Sequence, residues 1–255
     1  MKNKFIKIIV LALIILAAYE VSVVLKGNVG IKKNHEGKEL YRKDKYEVEK
    51  RLKVKERKVN KSIDEEFTYQ SIPEEIKKKM IGLSWHENNN ISLDDLSYIK
   101  VLHWGFDNKI HKGELVVHNK VSKEIVDIFK ELYYVKYPID KIKIIDEYEA
   151  NDKLSMEDNN TSAFCYRNIA SGSNNISKHA YGVAIDINPV QNPYINKDKI
   201  LPISSKDYID RSNVRKGMIV KDDALYLAFK KRGWIWGGEW KYIKDYQHFE
   251  KNIDY

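Results

Sequence analysis

The sequence predicts an α+β fold: a mostly antiparallel central sheet with flanking helices. Three observations lead there. Short stretches such as 98–104, 115–117 and 183–188 alternate or run apolar, as strands do. Segments 73–80, 122–134 and 222–231 instead repeat their apolar residues at helical spacing. The helical patterns begin first and the strands follow, intermixed, with no internal repeat.

The chain opens on Met1-Lys2-Asn3-Lys4, a basic flank. Residues 8–19 are an unbroken apolar run, and from Phe5 to Leu25 the length just suffices to span a bilayer. No clean small-x-small cleavage site follows, so residues 1–25 read as an uncleaved signal-anchor rather than a cleaved signal peptide. Lys2, Lys4 and Lys7 put the short end on the cytoplasmic side, and hence the remainder outside. Residues 26–62 are charged and poor in large apolar residues, which is the composition of a solvated tether. The folded domain is expected over 63–255.

Charge follows the same division. The 255-residue chain carries a net +8, made of +2 in residues 1–25, +8 in 26–62 and −2 in 63–255. The basic excess belongs to the tether and not to the domain. A nucleic-acid binder would want a basic face on the folded part. The single cysteine, Cys165, excludes an internal disulfide and a cysteine-rich structural metal site.

Within the domain, Pro73 starts a short helix to Met80. Residues 98–104 form a strand, and a hairpin-like connection leads to a second at 115–117. Ser122 is the expected cap of a helix to Tyr134, with Ile125, Ile128, Phe129 and Leu132 on its buried face. Residues 141–148 alternate as a strand. Residues 152–162 read as a polar loop leading to a strand with Arg167. The turn-rich stretch 189–217 reads as a rim or lid. A helix over 222–231 stops at Gly233, and Trp234 and Trp236 lead to a last strand carrying His248.

Two stretches carry chemistry. In Ser177-Lys178-His179-Ala180-Tyr181-Gly182-Val183-Ala184-Ile185-Asp186-Ile187-Asn188-Pro189, Val183, Ile185 and Ile187 face the core and Asp186 projects from the other side. His179 lies seven residues before Asp186, so a regular strand would put them on opposite faces. Gly182 permits the bend that folds His179 back. In Asp245-Tyr246-Gln247-His248-Phe249-Glu250, Asp245 and His248 are three apart and can share one cavity on a turn of helix or at a bulged strand start. Two imidazoles and a carboxylate, with a second carboxylate beside them, make the ligand set of a catalytic zinc site at the lip of a sheet. Asp245 is then a natural general base. His86, His103, His111 and His118 lack such a context and read as structural or surface groups.

Ser-x-His-x-x-Gly-x-Ala-x-Asp followed by Asp-x-x-His-Phe resembles the zinc D-alanyl-D-alanine carboxypeptidase family. That family includes VanY-type D,D-carboxypeptidases and phage L-alanyl-D-glutamate peptidases. The likeness extends to Asn159 through Arg167, to Asn188-Pro189 with Asn192-Pro193-Tyr194, and to Gly233 through Trp240. It implies that His179, Asp186 and His248 hold Zn2+, that Asp245 is the catalytic acid/base, and that Arg167 holds the scissile carbonyl and its oxyanion. Ser162, Ser177, Tyr181 and Glu239 are the further candidates for touching substrate. The implied substrate is a peptidoglycan stem peptide, cut most readily at D-Ala-D-Ala. An L-Ala-D-Glu endopeptidase is the alternative within the family, and a zinc-retaining wall-binding module without turnover is the alternative outside it. The expected partners are the stem peptide and, through residues 1–25, the bacterial cell membrane, with a monomeric domain and no nucleic acid.

Overall fold

Two long strands, β2 (Leu96–Trp104) and β3 (Ile110–His118), form a hairpin in which Leu96 faces His118 and Trp104 faces Ile110. This was derived from a computed structural model, which describes residues 46–47, 49–51, 53–54, 62–88, 90–169 and 175–254. Asn108 closes the hairpin turn with φ 58°, a left-handed conformation Asn tolerates well. Strand β1 (Thr68–Ser71) pairs antiparallel with β2 and completes the first sheet. Helix α1 (Glu74–Met80) buries Ile76 and Met80 in a cluster with Ile72, Leu96, Tyr98, Val116 and Phe164.

The chain passes from β3 directly into helix α2 (Asn119–Tyr134), without the separate start expected at Ser122. The cap is His118, whose Nδ1 accepts from the Lys120 amide at 3.1 Å. Ser122 lies inside the helix and donates its hydroxyl to the Asn119 carbonyl. An imidazole cap falls outside the Ser, Thr, Asp and Asn preference from which a start is read. The apolar face of α2 is as expected: Ile125, Ile128, Phe129 and Leu132 are buried.

The region 141–162 departs from expectation. Only Lys141–Ile142 is extended, as β4. The alternation ends at the Ile144-Ile145 pair, and the chain turns into a 3-10 helix, Ile145–Tyr148, closed by Glu149 and Ala150 at positive φ. The expected polar loop contains helix α3 (Asp152–Glu157), capped by the Asn151 side chain on the Leu154 amide. Asn151-Asp152 is an ordinary helix-start signal that the surrounding polarity obscures. Strand β5 (Asn160–Thr161) then pairs parallel with β4, the exception to an otherwise antiparallel set. Residues 163–167 are irregular and not a strand. The three central amides are satisfied one by one, Phe164 by Val116, Cys165 by His179 and Tyr166 by Ser84.

The sheets are small and separate; there is no single central sheet among the described residues. The one that matters most runs β6 (Ala184–Asp186), β11 (His248–Glu250), β9 (Ile235–Trp236) in that order, antiparallel throughout. Behind it, Phe249 stacks on Phe229 at 4.4 Å between ring centres and on Trp236 at 6.2 Å. Phe229 comes from helix α4 (Ala224–Lys230), capped by Asp223, and Gly233 follows at φ 81°. The turn-rich stretch after Asp186 is no open lid. Strands β7 (Tyr194–Asn196) and β8 (Lys199–Leu201) form a hairpin, and β7 pairs with β10 (Lys244–Asp245). The half-buried Arg211 guanidinium donates to the Gln191 and Ile219 carbonyls and lies 4.3 Å over the Tyr246 ring, fixing the rest of that stretch.

Residues 1–25, expected as a membrane anchor, lie outside the described residues. No helix among the described residues is long and apolar enough to cross a membrane. The contact-dense unit runs from Glu66 to Tyr255.

Candidate metal centre

Local backbone chemistry sets the first ligand. The Ser177 hydroxyl accepts from the His179 amide at 3.2 Å and starts a 3-10 turn, Lys178–Tyr181. Gly182 ends it at φ 67°, with its carbonyl accepting from the His118 amide at 2.9 Å. A Cβ on Gly182 would sit 2.6 Å from that His118 nitrogen, so only glycine meets both the φ and the close approach. The chain thus turns before β6 and brings His179 over Asp186. The antiparallel register of β6 and β11 then sets Asp186 directly opposite His248. Ser162 clasps the other side of Asp186 through two backbone hydrogen bonds.

Each imidazole is oriented by a partner behind it. His179 Nδ1 lies 2.6 Å from the Ala163 carbonyl, so it carries the hydrogen and donates, leaving Nε2 bare. His248 Nε2 lies 3.2 Å from Glu250 Oε2, which turns Nδ1 inward. The inward atoms converge: His179 Nε2 to His248 Nδ1 is 3.2 Å, His248 Nδ1 to Asp186 Oδ1 is 2.9 Å, and His179 Nε2 to Asp186 Oδ2 is 3.2 Å. All three side chains are buried. Neutral imidazoles held this way aim two lone pairs and a carboxylate at one point, an arrangement that demands positive charge at its centre.

The electrostatics agree. Burial works against ionisation of Asp186, but the electrostatic attraction of the neighbouring His179 and the hydrogen bonds from both imidazoles outweigh it and hold the carboxyl well below the usual range. Burial likewise opposes charge on His248, yet the Asp186 and Glu250 carboxylates push its pKa up to about 10. The pocket attracts a cation, either a proton or a metal ion. Two nitrogens and one oxygen, all within 4.8 Å of one another and backed by hydrogen-bonding partners, fit zinc.

Asp245 borders the same space. Burial and the neighbouring Asp186 charge push its pKa up to about 7, and its Oδ1 is buried without a partner. Gly237 allows the next turn to lie against it, since a Cβ there would come within 2.6 Å of the Asp245 carbonyl oxygen. Arg167 lines the cleft too. Its Nη2 meets Asp152 Oδ2 at 3.1 Å, and its Nε is buried without a partner. Burial opposes the Arg167 charge, but the Asp152 carboxylate more than restores it. These groups open onto a cavity of about 510 Å³, walled by Tyr194, Lys199 and Leu201 on one side and by Trp240 and Ile243 on another.

The structure therefore brings His179, Asp186, His248, Asp245, Arg167 and Ser177 to one cleft. Ser162 and Tyr181 are not among its lining residues. Glu239 is not there either: its carboxylate accepts from the Tyr226 hydroxyl at 2.7 Å and pairs with Lys230 at 2.8 Å, which makes it a tie between α4 and the following turn. Two groups escaped the sequence reading. Glu250 lies two residues past His248 on one strand, the same-face spacing that could have found it. Asp152 has no such signal, because its partner Arg167 is brought to it by the fold. Cys165 is buried, with its thiol pushed up to about 11 by burial, and it contributes its backbone amide to the His179 carbonyl.

Residues 171–251 match the family model described as D-alanyl-D-alanine carboxypeptidase. That segment contains His179, Asp186, Asp245 and His248, so the resemblance read from the motifs stands, and it identifies a peptidase-family segment. No curated protein and no solved structure matches the chain.

Proposed function

We propose that the chain, whose residues 171–251 carry the D-alanyl-D-alanine carboxypeptidase family segment, is a zinc-dependent peptidase that removes the terminal D-Ala from peptidoglycan stem peptides. The observation that carries this reading is the convergence of His179 Nε2, His248 Nδ1 and the Asp186 carboxylate in a cleft that also holds Asp245. His179, Asp186 and His248 hold the metal. Zinc there supplies Lewis acidity, which makes water a nucleophile near neutral pH and polarises the carbonyl under attack. The chain's own residues do the remaining work. Asp245 takes the proton of the attacking water and hands it to the leaving amine. Its raised pKa suits both halves of that task, because acceptor and donor forms then lie close in energy at neutral pH. The Arg167 guanidinium, held by Asp152, faces the charge that develops on the carbonyl oxygen.

The setting belongs to the same proposal. The apolar run over 5–25 and its flanking lysines support a single-pass anchor in a bacterial membrane with residues 63–255 outside, where wall peptides lie. The basic excess lies outside residues 63–255, which argues against nucleic acid as the partner; a stem peptide and a monomeric domain are part of the same proposal.

The test is release of D-Ala from a pentapeptide by the full chain and by Asp245→Asn. Loss of a positioned acid/base costs on the order of 10²–10⁴-fold in rate. The expected outcome is turnover by the wild type and at least a hundredfold less by D245N, with peptide binding retained. Equal binding by both and turnover by neither would make the protein a wall-binding module.

A further inference from the structure

We propose that Lys199 binds the free α-carboxylate of the amino acid that leaves, which makes that carboxylate the specificity determinant of the cleft. The inference rests on the peptidase reading above and says which side of the scissile bond is recognised, and by what.

The argument starts from the hairpin. Tyr194 of β7 pairs with Asp245 of β10, and β8 pairs with β7. The wall made by β7 and β8 is therefore fixed by backbone hydrogen bonds to the strand that carries the acid/base residue. Asp245 gives its proton to the leaving amine, so the leaving group lies on this side. Lys199 and Leu201 are two apart on β8 and share one face, and both line the cleft with Tyr194. The Lys199 ammonium lies 6.0 Å from the centre of the Tyr194 ring, which favours an extended cation over it without neutralising it.

The other charges of the cleft are spoken for. Asp152 holds Arg167, Asp186 and Glu250 hold the imidazoles, Lys178 adds to the His248 hydrogen bond in lowering the pKa of the Glu250 carboxylate, and Asp245 does proton transfer. Among the described residues, no carboxylate lies within ion-pair distance of Lys199, which is exposed. The wall thus offers an apolar strip, Leu201 and Tyr194, ending in a cation. That complements a small residue with a free carboxylate. A terminal D-Ala has one at its C-terminus. A D-Glu joined through its side chain has one at Cα. The shared chemistry is an α-carboxylate on the leaving residue.

The experiment uses the full, zinc-loaded chain and two pairs of stem peptides. In one pair the C-terminal D-Ala carboxylate is free or amidated. In the other, the D-Glu α-carboxylate is free or amidated. One charge-assisted hydrogen bond sets the scale, so amidation of the recognised carboxylate should lower kcat/KM about tenfold. Lys199→Met should show the same loss on the free carboxylate and no further loss on the amide, and Lys199→Arg should recover most of it. The pair that responds identifies the carboxylate. Indifference of the wild type to both amidations, or full activity of K199M on both free peptides, overturns the proposal. Should the wild type cut none of the peptides, the peptidase reading fails by itself. The same pairs titrated by calorimetry then judge Lys199 separately: equal Kd for acid and amide overturns it, and a tenfold preference for the acid that K199M loses sustains it.

Discussion

Glu250 touches no ligand position, yet it decides which nitrogen of His248 faces inward. Partners of this kind typically govern metal affinity by 10–100-fold. Glu250→Gln can still accept through its amide oxygen but no longer offers a charge to the imidazole. Its zinc affinity should fall by about that factor in competition with a chromophoric chelator, and unchanged affinity would contradict the assigned role. At this scale the sequence was most informative where chemistry is written into spacing. His179, Asp186, Asp245 and His248 sit in contexts that announce them. Glu250 was legible in principle, through the two-residue repeat of a strand. Asp152 was not, because nothing local connects it to a guanidinium fifteen residues on. Glu239 shows the converse: a carboxylate near the site in sequence that bonds Tyr226 and Lys230.

The 3-10 turn with Gly182 is the element on which the centre depends. Gly182→Ala would place a methyl 2.6 Å from the His118 nitrogen and force a left-handed φ on alanine, which costs roughly 1–2 kcal/mol before the clash is counted. The thermal midpoint should fall by several degrees and zinc affinity should fall with it. A variant as stable as the wild type, with unchanged affinity, would show that the bend is not what places His179. Gly182 was readable as a bend because seven residues separate two ligands that must meet. Helix α2 and the strands around Ile99, Val116 and Ile185 were readable from periodicity alone. The stretch 141–162 was not. Its elements are only two to six residues long and held by side chains such as Asn160, which bonds both backbone groups of Lys143, so tertiary contacts decide its shape. The hairpin Tyr194–Leu201 was hidden in the same way, since its outer partner is β10, far along the chain.

For the molecule as a whole, stability should depend on pH through His103. It is buried in β2 with Nδ1 donating to the Ile139 carbonyl, and burial pushes its pKa down to about 4. The unfolded value is about 6.5, so above that pH neither state binds the proton and folding is unpenalised. As pH falls from 6.5 towards 4 the unfolded chain takes up a proton that the fold refuses, and stability drops by up to about 3 kcal/mol. His103→Gln keeps a donor for Ile139 and does not titrate. Denaturant titrations should show the wild type losing more stability than H103Q across that window, and parallel losses would contradict the assignment. The same buried frame holds the cleft, where β6, β10, β11 and the 3-10 turn each deliver one of its groups. The central claim is that this frame makes a zinc peptidase of defined cut, and mass spectrometry of defined muropeptides tests it most directly. Digested by the full chain with zinc, a pentapeptide should lose a single terminal Ala, and with chelator it should stay whole. A cut at another bond, a cut that survives the chelator, or no product from a zinc-loaded protein would contradict it.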